Sequence, residues 1–264
     1  MEEVMYKPFD LSEKVVLVTG GNGGIGMGMA SALAQAGATL AIWGTNEAKN
    51  AAAIDRLKAD GARDAKAWRV DVSDEKAVDV AMADVVSQFG RVDSVFANSG
   101  IGRASGPFED MSTEDYRAIL AVNLDGAFFT LRAAGKHMVD RAKAGDPGGS
   151  LVGVASLAAI EGAARNQHYS ASKAGLTAIM RGIAVEYGRY KIRGNSILPG
   201  WISTDMTQGA QDNQVFTDKV ISRVPARRWG EIEDFGGVAV YLASDASAFH
   251  SGDTFVIDGG YAIF

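Results

Sequence analysis

A tyrosine and a lysine four residues apart, Tyr169 and Lys173, open a stretch whose apolar residues recur at helical period: Ala171, Ala174, Leu176, Ala178, Ile179, Ile183, Ala184 and Val185. Positions four apart on a helix share a face, so the phenol and the ammonium point the same way. A fixed cation beside a phenol favours the phenolate and draws its pKa down from about 10. That is what a tyrosine needs in order to act as a general acid or base near neutral pH. Alone, such a pair describes a helix surface; its meaning depends on what the rest of the chain brings to it.

A second stretch also carries chemistry. Residues 14–19, Lys-Val-Val-Leu-Val-Thr, form a short continuous apolar run of the kind found in a strand buried on both faces. Gly20-Gly21-Asn22-Gly23-Gly24-Ile25-Gly26 follows at once, and residues 27–36 read as a helix closed by Gly37. Glycines let a backbone approach a pyrophosphate, and the helix N-terminus offers unpaired N–H groups and the positive end of its dipole. Two glycine registers fit a dinucleotide turn, Gly21/Gly23/Gly26 and Thr19/Gly20/Gly24/Gly26.

The alternation that positions these residues continues to the end. Strand-like runs cover residues 39–43, 65–70, 92–97, 150–155, 195–198 and 253–257. Helix-like runs cover 47–59, 74–89, 113–144, the stretch from Tyr169 onward, and 231–243. Ser73 is expected to cap the third helix, with Asp74 and Glu75 in its first turn. Ser112 or Thr113 should cap the long one, with Asn123 inside it. Polar punctuation falls at the strand ends: Gly44-Thr45-Asn46, Asp71-Val72, Asn98-Ser99-Gly100, Ser156 and Pro199-Gly200. This βαβαβ order, without repeats or linkers, predicts an α/β fold: one doubly wound parallel sheet in a single domain over residues 1–264. Residues 203–224 mix Met206, Val215, Phe216 and Val220 with Asp205, Gln208, Gln211 and Asp212, and read as an amphipathic lid over a substrate.

Composition narrows the function classes. The chain is 47% hydrophobic over 264 residues, enough for one large core. Charged residues make up 22% and the net charge is −6 without long runs of one sign, which argues against a nucleic-acid surface. Cysteine is absent, which excludes a disulfide framework or a thiolate metal site. His137, His168 and His250 lie far apart without metal-ligand spacing, so no metal is expected. Residues 1–4, Met-Glu-Glu-Val, lack the basic-then-apolar order of a signal peptide. No run approaches the length of ~20 apolar residues that a membrane span requires. Together these features predict a cytoplasmic protein with neither a membrane nor a nucleic-acid partner.

Taken in order, Thr19-Gly20-x-x-x-Gly24-x-Gly26, Asp71, Asn98-Ser99-Gly100, Asn123, Ser156, Tyr169-x-x-x-Lys173 and Pro199-Gly200 resemble the short-chain dehydrogenase/reductase (SDR) family from Leu11 onward. One departure is small: the family's usual Asn-Ala-Gly is Asn98-Ser99-Gly100. The resemblance implies a Rossmann fold and an NAD(P)-dependent oxidoreductase that moves a hydride between nicotinamide and a ketone or secondary alcohol. It implies that Tyr169 is the general acid/base, that Lys173 lowers its pKa and holds the nicotinamide ribose, and that Ser156 hydrogen-bonds the same substrate oxygen. Asn123 would position a water linking Lys173 to solvent. Gly20, Asn22, Gly24, Ile25 and Gly26 would form the cofactor turn, Thr45 its ribose end, and Asp71 and Val72 the adenine contacts. Asn98, Gly100, Pro199 and Gly200 would line the groove, with Ile202 and Thr204 against the nicotinamide carboxamide. The physics agrees: two donors aimed at a carbonyl oxygen stabilise the charge that hydride transfer leaves there, while the nicotinamide supplies the hard chemistry. Two other readings compete. Epimerisation or dehydration on this fold fits poorly with the short stretch after Pro199. A non-catalytic dinucleotide-binding regulator fits poorly with the presence of Ser156, Tyr169 and Lys173 together.

An acid at the end of the second strand would bind a ribose 2′-OH and repel a 2′-phosphate. Gly44 stands where that acid would sit, Thr45 where many NADP-preferring relatives carry Arg, and the glycine turn has no basic residue. Without repulsion, and with hydroxyl and amide donors nearby, the balance leans to NADP over NAD. Residues 157–161, His168, Trp201 and the lid are the expected substrate walls; they suit a moderately apolar ketone or alcohol and leave a sugar or hydroxy acid open. Arg227-Arg228 is expected to be structural. The chain resembles family members that form homotetramers. The broad apolar surface of the Tyr169 helix and the terminal Tyr261-Ala262-Ile263-Phe264 predict such an assembly here.

Overall fold

The structure is a computed structural model that describes residues 7–102 and 106–264. Residues 1–4, read above for a signal peptide, lie outside the described residues. In chain order come β1 (Val15–Thr19), α1 (Gly24–Gln35), β2 (Thr39–Gly44), α2 (Glu47–Ala59), β3 (Asp64–Arg69), α3 (Glu75–Phe89) and β4 (Ser94–Ala97). Next are α4 (Thr113–Leu120), α5 (Gly126–Lys143), β5 (Gly149–Val154), α6 (Gln167–Tyr187) and β6 (Ile192–Pro199). The chain closes with α7 (Gln208–Gln211), α8 (Gln214–Arg223), α9 (Gly236–Ala243) and β7 (Thr254–Ile257).

The strands form one seven-stranded sheet in the order β3-β2-β1-β4-β5-β6-β7, and every neighbouring pair is parallel. Strand order runs outward from β1 one way and from β4 the other. The crevice of a doubly wound sheet therefore opens at the carboxyl ends of β1 and β4. Alternation along each strand divides the core between two faces. Val16, Val18, Leu40 and Ile42 face Met29, Leu33, Phe235 and Leu242 on one side. Leu17, Trp43 and Val95 face Val78, Leu131, Met138, Leu176 and Met180 on the other. Each fully buried Leu or Ile contributes about 1.5–3 kcal/mol relative to exposure, so the central strands are held from both sides.

Four local features differ from the sequence reading. The helix expected over residues 113–144 is interrupted by a π-helical turn, Ala121–Asp125, between α4 and α5. A π turn inserts one residue into the helical ladder and re-aims its side chains, and such turns gather at functional sites. Here Asn123 ends fully buried, with both amide atoms on the backbone of Ile101. Asp74, not Ser73, caps α3: its carboxylate accepts from the N–H groups of Lys76 and Ala77, because the Ser73 hydroxyl is already given to Asp71. The stretch 231–243 divides into a 3-10 turn (Ile232–Phe235) and α9. Finally, Tyr261 is buried against its own subunit, its hydroxyl accepting from Arg223 at 2.9 Å, while Ile263 and Phe264 stay exposed.

The composite helix Thr113–Lys143 reaches a mean hydropathy of 1.2, a level at which a membrane span is also found. Its apolar stripe is otherwise engaged. Ala127, Leu131, Ala134 and Met138 are buried in the core beside β4 and β5.

Candidate active site

The site grows from the glycine turn. Gly20 and Gly24 take positive φ angles of 63° and 50°, which only glycine adopts freely. A Cβ on Gly26 would lie 2.3 Å from the carbonyl oxygen of Gly20, so the turn can close only around a hydrogen. α1 starts inside this turn, at Gly24. No side chain caps its N-terminus and no acid stands in its first turn. The first-turn N–H groups thus face the crevice as donors, and a Cβ on Gly23 would meet nothing within 4 Å. An uncapped, glycine-lined helix start fits a pyrophosphate. Ile25 packs into the core behind it.

Each strand end then adds one group. The Thr19 hydroxyl accepts from the N–H groups of Asn98 and Ser99, at 3.0 and 2.9 Å. The Asn98 amide returns a hydrogen bond to the Thr19 carbonyl at 2.9 Å, tying β4 to the glycine turn. Asp71 is exposed, its carboxylate held by the Ser73 N–H and hydroxyl, while Val72 is buried. Thr45 is exposed beyond β2. Thr45, Asp71 and Val72 stand on the β2–β3 arm of the crevice and Tyr169 stands on the other.

On that other arm, Ser156 follows β5 in extended conformation and its hydroxyl accepts from the Ala158 N–H at 3.2 Å. Tyr169 lies in the first turn of α6 beside it. Burial pushes the Tyr169 phenol up from its usual range, and hydrogen bonding with the Ser156 hydroxyl opposes that rise. Lys173, one turn on, is buried and its ammonium donates to the Val154 carbonyl at 2.9 Å. A Cβ on Gly100 would lie 3.3 Å from both Lys173 Nζ and Asn123 Oδ1, so these three residues share one spot. Burial pulls the Lys173 ammonium down to about 8. The expected lowering of the Tyr169 pKa by Lys173 is absent: the ammonium is aimed at Val154, 5.7 Å from the Tyr169 ring centre, and burial governs the phenol.

The Asn123 side chain accepts from the Ile101 N–H at 2.8 Å and donates to its carbonyl at 2.9 Å, which fixes the loop after β4 beneath the crevice. Asn123→Ala should cost roughly 1–3 kcal/mol by stripping both partners from Ile101. Urea midpoints would record it, and an unchanged midpoint would mean that solvent takes over the amide's role.

Residues after β6 cover the opening. Gly200 lies against Asp258, where a Cβ would meet the Asp258 Cβ at 2.6 Å, and Pro199 ends the strand. Ile202 is buried and bridges to Gly230. A Cβ on Gly24 would lie 3.6 Å from Thr204, and one on Gly102 3.3 Å from the Met206 sulfur, so this segment crosses above the glycine turn and the β4 loop. An ion pair of 2.9 Å, Lys49 to Asp205, ties it to α2. Trp201 anchors the lid from below, with ring centres of Phe216, Trp229 and Tyr261 at 5.2, 5.9 and 6.4 Å. Val220, Val224 and Leu157 complete that apolar base. Gln211 is spent inside the segment, on Ser203 and Thr207. His168, expected as a substrate wall, has no exposed surface and lines nothing. Arg228 grips Asp234 through two hydrogen bonds of 2.6 and 2.8 Å.

The space above Gly44 is occupied. The Asn22 amide donates to Asn50 Oδ1 at 2.7 Å, and a Cβ on Gly44 would fall 2.2 Å from Asn22 Nδ2. An acid at position 44 therefore has no room without evicting this pair. Sequence reasoning missed Asn50 as the residue that roofs Gly44; its place on α2 at one helical turn from Asn46 gave the only signal. Among the described residues no group of three or more His, Asp or Glu is placed to hold a metal ion.

A protein-family model described as enoyl-(acyl carrier protein) reductase matches residues 20–262. The chain is 32% identical over 255 residues to gluconate 5-dehydrogenase of Gluconobacter oxydans (strain 621H), covering 97% of each. It is 35% identical over 254 residues to L-rhamnose 1-dehydrogenase (NAD(P)(+)) of Azotobacter vinelandii, covering 95% of this chain and 97% of that one. Among solved structures it is similar to a gluconate 5-dehydrogenase from Burkholderia cenocepacia J2315 in complex with NADP and tartrate. That similarity has a TM-score of 0.90 and 31% identity over 97% of each chain.

Proposed function

The chain belongs to the short-chain dehydrogenase/reductase family, and from that membership we propose that Tyr169 exchanges the proton while Ser156 holds the same substrate oxygen. The reaction is NAD(P)-dependent interconversion of an alcohol and its ketone. The nicotinamide, when bound, gives or takes the hydride. In the direction of reduction the substrate oxygen gains charge, Ser156 donates to it, and the Tyr169 O–H passes over its proton. Lys173 then faces the phenolate left behind, and Asn123 keeps the floor beneath it in place. The observation that carries this reading is that Ser156 after β5 and Tyr169 in the first turn of α6 stand at the same side of the crevice, with Lys173 one turn on and its ammonium over the Tyr169 ring at 5.7 Å.

Gly20, Asn22, Gly24, Ile25 and Gly26 would hold the pyrophosphate, Thr45 the adenine ribose, and Asp71 and Val72 the adenine. Asn98, Gly100, Pro199, Gly200, Ile202 and Thr204 would line the nicotinamide half, with Lys173 and Tyr169 at its ribose. All of these belong to one domain, and residues 203–224 are its substrate lid. The cofactor is proposed to be NADP, because position 44, at the β2 end, carries no carboxylate and amide and hydroxyl donors stand beside it.

For the substrate we propose a secondary hydroxyl of a sugar or sugar acid. The support is that the relatives from Gluconobacter, Azotobacter and Burkholderia are named for gluconate and rhamnose. The exposed Met206 and Val215 of the lid favour a second reading, an apolar ketone. A panel of aldonates, sugars and cyclic ketones, each run with NADPH and NADH, decides between them. Turnover confined to apolar ketones would remove the sugar reading, and no hydride transfer to any of them would remove the proposed substrate classes altogether.

Assembly as a cytoplasmic homotetramer is proposed on the exposed Val185 of α6, 86% accessible, and Ile263 at 92%. Light scattering at micromolar concentration tests it, a monomer of 27.7 kDa being the contrary result.

A further inference from the structure

Position 44 pairs with Arg69 in the β2–β3 register. Residues opposite one another on parallel strands point to the same face of the sheet. Arg69 therefore rises on the side that a side chain at 44 would occupy, and that space holds the amide Nδ2 of Asn22 instead of a carboxylate. The Arg69 Nε donates to the Thr45 carbonyl at 3.3 Å, which lays the guanidinium along the turn after β2. Both of its Nη groups lack a hydrogen-bond partner among the described residues, and the side chain is 69% exposed.

Two other charges stand nearby. Glu47 approaches Arg69 Nε at 3.9 Å, but it is 79% exposed, and a pair so long and so solvated holds the guanidinium weakly. Lys49 is engaged with Asp205 of the lid. The strand end thus presents donors: a guanidinium fork, the Thr45 hydroxyl and the Asn22 amide. A planar fork matches a phosphate monoester in two parallel hydrogen bonds. A bare ribose hydroxyl has no comparable use for it.

We propose that Arg69, reaching over from the end of β3, reads the 2′-phosphate of NADP(H) in place of a basic residue at position 45 or in the glycine turn. Thr45 and Asn22 supply the remaining donors. The inference rests on the dinucleotide-binding reading above and adds to it the residue that makes the choice.

Titrations followed by intrinsic fluorescence or calorimetry test this without turnover. The parent, Arg69→Gln and Arg69→Lys are each titrated with NADPH and NADH, and with the fragments 2′,5′-ADP and 5′-AMP. Inorganic phosphate is added as a separate competitor. Losing charge-assisted hydrogen bonds should weaken NADPH and 2′,5′-ADP by roughly 10- to 100-fold in Arg69→Gln. NADH and 5′-AMP should stay within about twofold of the parent. Arg69→Lys should fall between, since it keeps the charge and loses the fork. The proposal is overturned if Arg69→Gln leaves NADPH binding unchanged or weakens both cofactors alike. It is also overturned if the parent binds NADH as tightly as NADPH, or if phosphate alone displaces NADPH as well as 2′,5′-ADP does. A folded parent that binds neither cofactor would overturn the underlying dinucleotide reading along with it.

Discussion

Tyr169→Phe should lower turnover by roughly 10²- to 10⁴-fold, the usual worth of a positioned general acid, with cofactor affinity nearly unchanged. The substitution keeps the ring, and with it the contacts at the start of α6. It removes the one O–H placed to give a proton to the substrate oxygen. Burial pushes the phenol above its ordinary range and so makes it a weaker acid, one that gives up its proton only as charge develops on the substrate oxygen. Ser156 would remain to stabilise the oxygen but carries no proton path of its own, so rescue by the neighbour is not expected. Steady-state assays at saturating cofactor, paired with cofactor titrations, separate the two effects. Turnover within a few-fold of the parent would take Tyr169 out of the proton path; a matching loss of cofactor affinity would make its role one of binding.

The parallel sheet was legible because its strands are short apolar runs, each followed at once by polar or glycine punctuation. Thr19-Gly20, Asn98 and Ser156 each proved to sit at a strand end, where backbone direction alone carries them to the crevice. Periodicity also placed α2 at residues 47–59 and stopped α3 before Gly90, whose φ of 79° suits the left-handed end of a helix. What could not be read depends on neighbours far apart in sequence. The π turn keeps the same apolar period as the helix around it, and only the pull of Ile101 on Asn123, 22 positions away, shows the extra residue. Nothing at Gly44 itself shows that the space above it is taken, because Asn22 and Asn50, which fill it, come from two other segments. Arg69 carries no signal of its own in the sequence; only its register with Gly44 gives it a place at the crevice. The Tyr169–Lys173 spacing gave the shared helix face, but the Val154 carbonyl decides where the ammonium points. Tyr261 looked exposed for a related reason: the α8 residues that cover it, Val220 and Arg223, lie some forty positions earlier.

Lys173→Met should lower turnover and at the same time stabilise the fold near neutral pH. Burial pulls the Lys173 ammonium from 10.5 down to about 8. A base with a lower pKa folded than unfolded binds fewer protons in the folded state between those two values. Unfolding then takes up protons, so the parent's stability rises with pH above about 8, and the whole penalty is present below it. At about 1.4 kcal/mol for each tenfold, that penalty comes to roughly 3 kcal/mol. Methionine fills the same stem without a charge to desolvate. It leaves the Val154 carbonyl without its partner at 2.9 Å, a loss of about 1 kcal/mol. The variant should therefore be more stable than the parent by about 2 kcal/mol at pH 7, with the gain roughly halved by about pH 9, reaching zero near pH 10 and turning into a small loss beyond. Tyr169 adds a slope of opposite sign, since a phenol raised by burial costs stability only as pH climbs past its unfolded value of about 10. Urea unfolding of both proteins at pH 7 and pH 9.5 stays below that range and isolates Lys173. A stability difference that does not change between the two pH values would mean that the ammonium titrates as it does in water, and that burial does not tune it for the site.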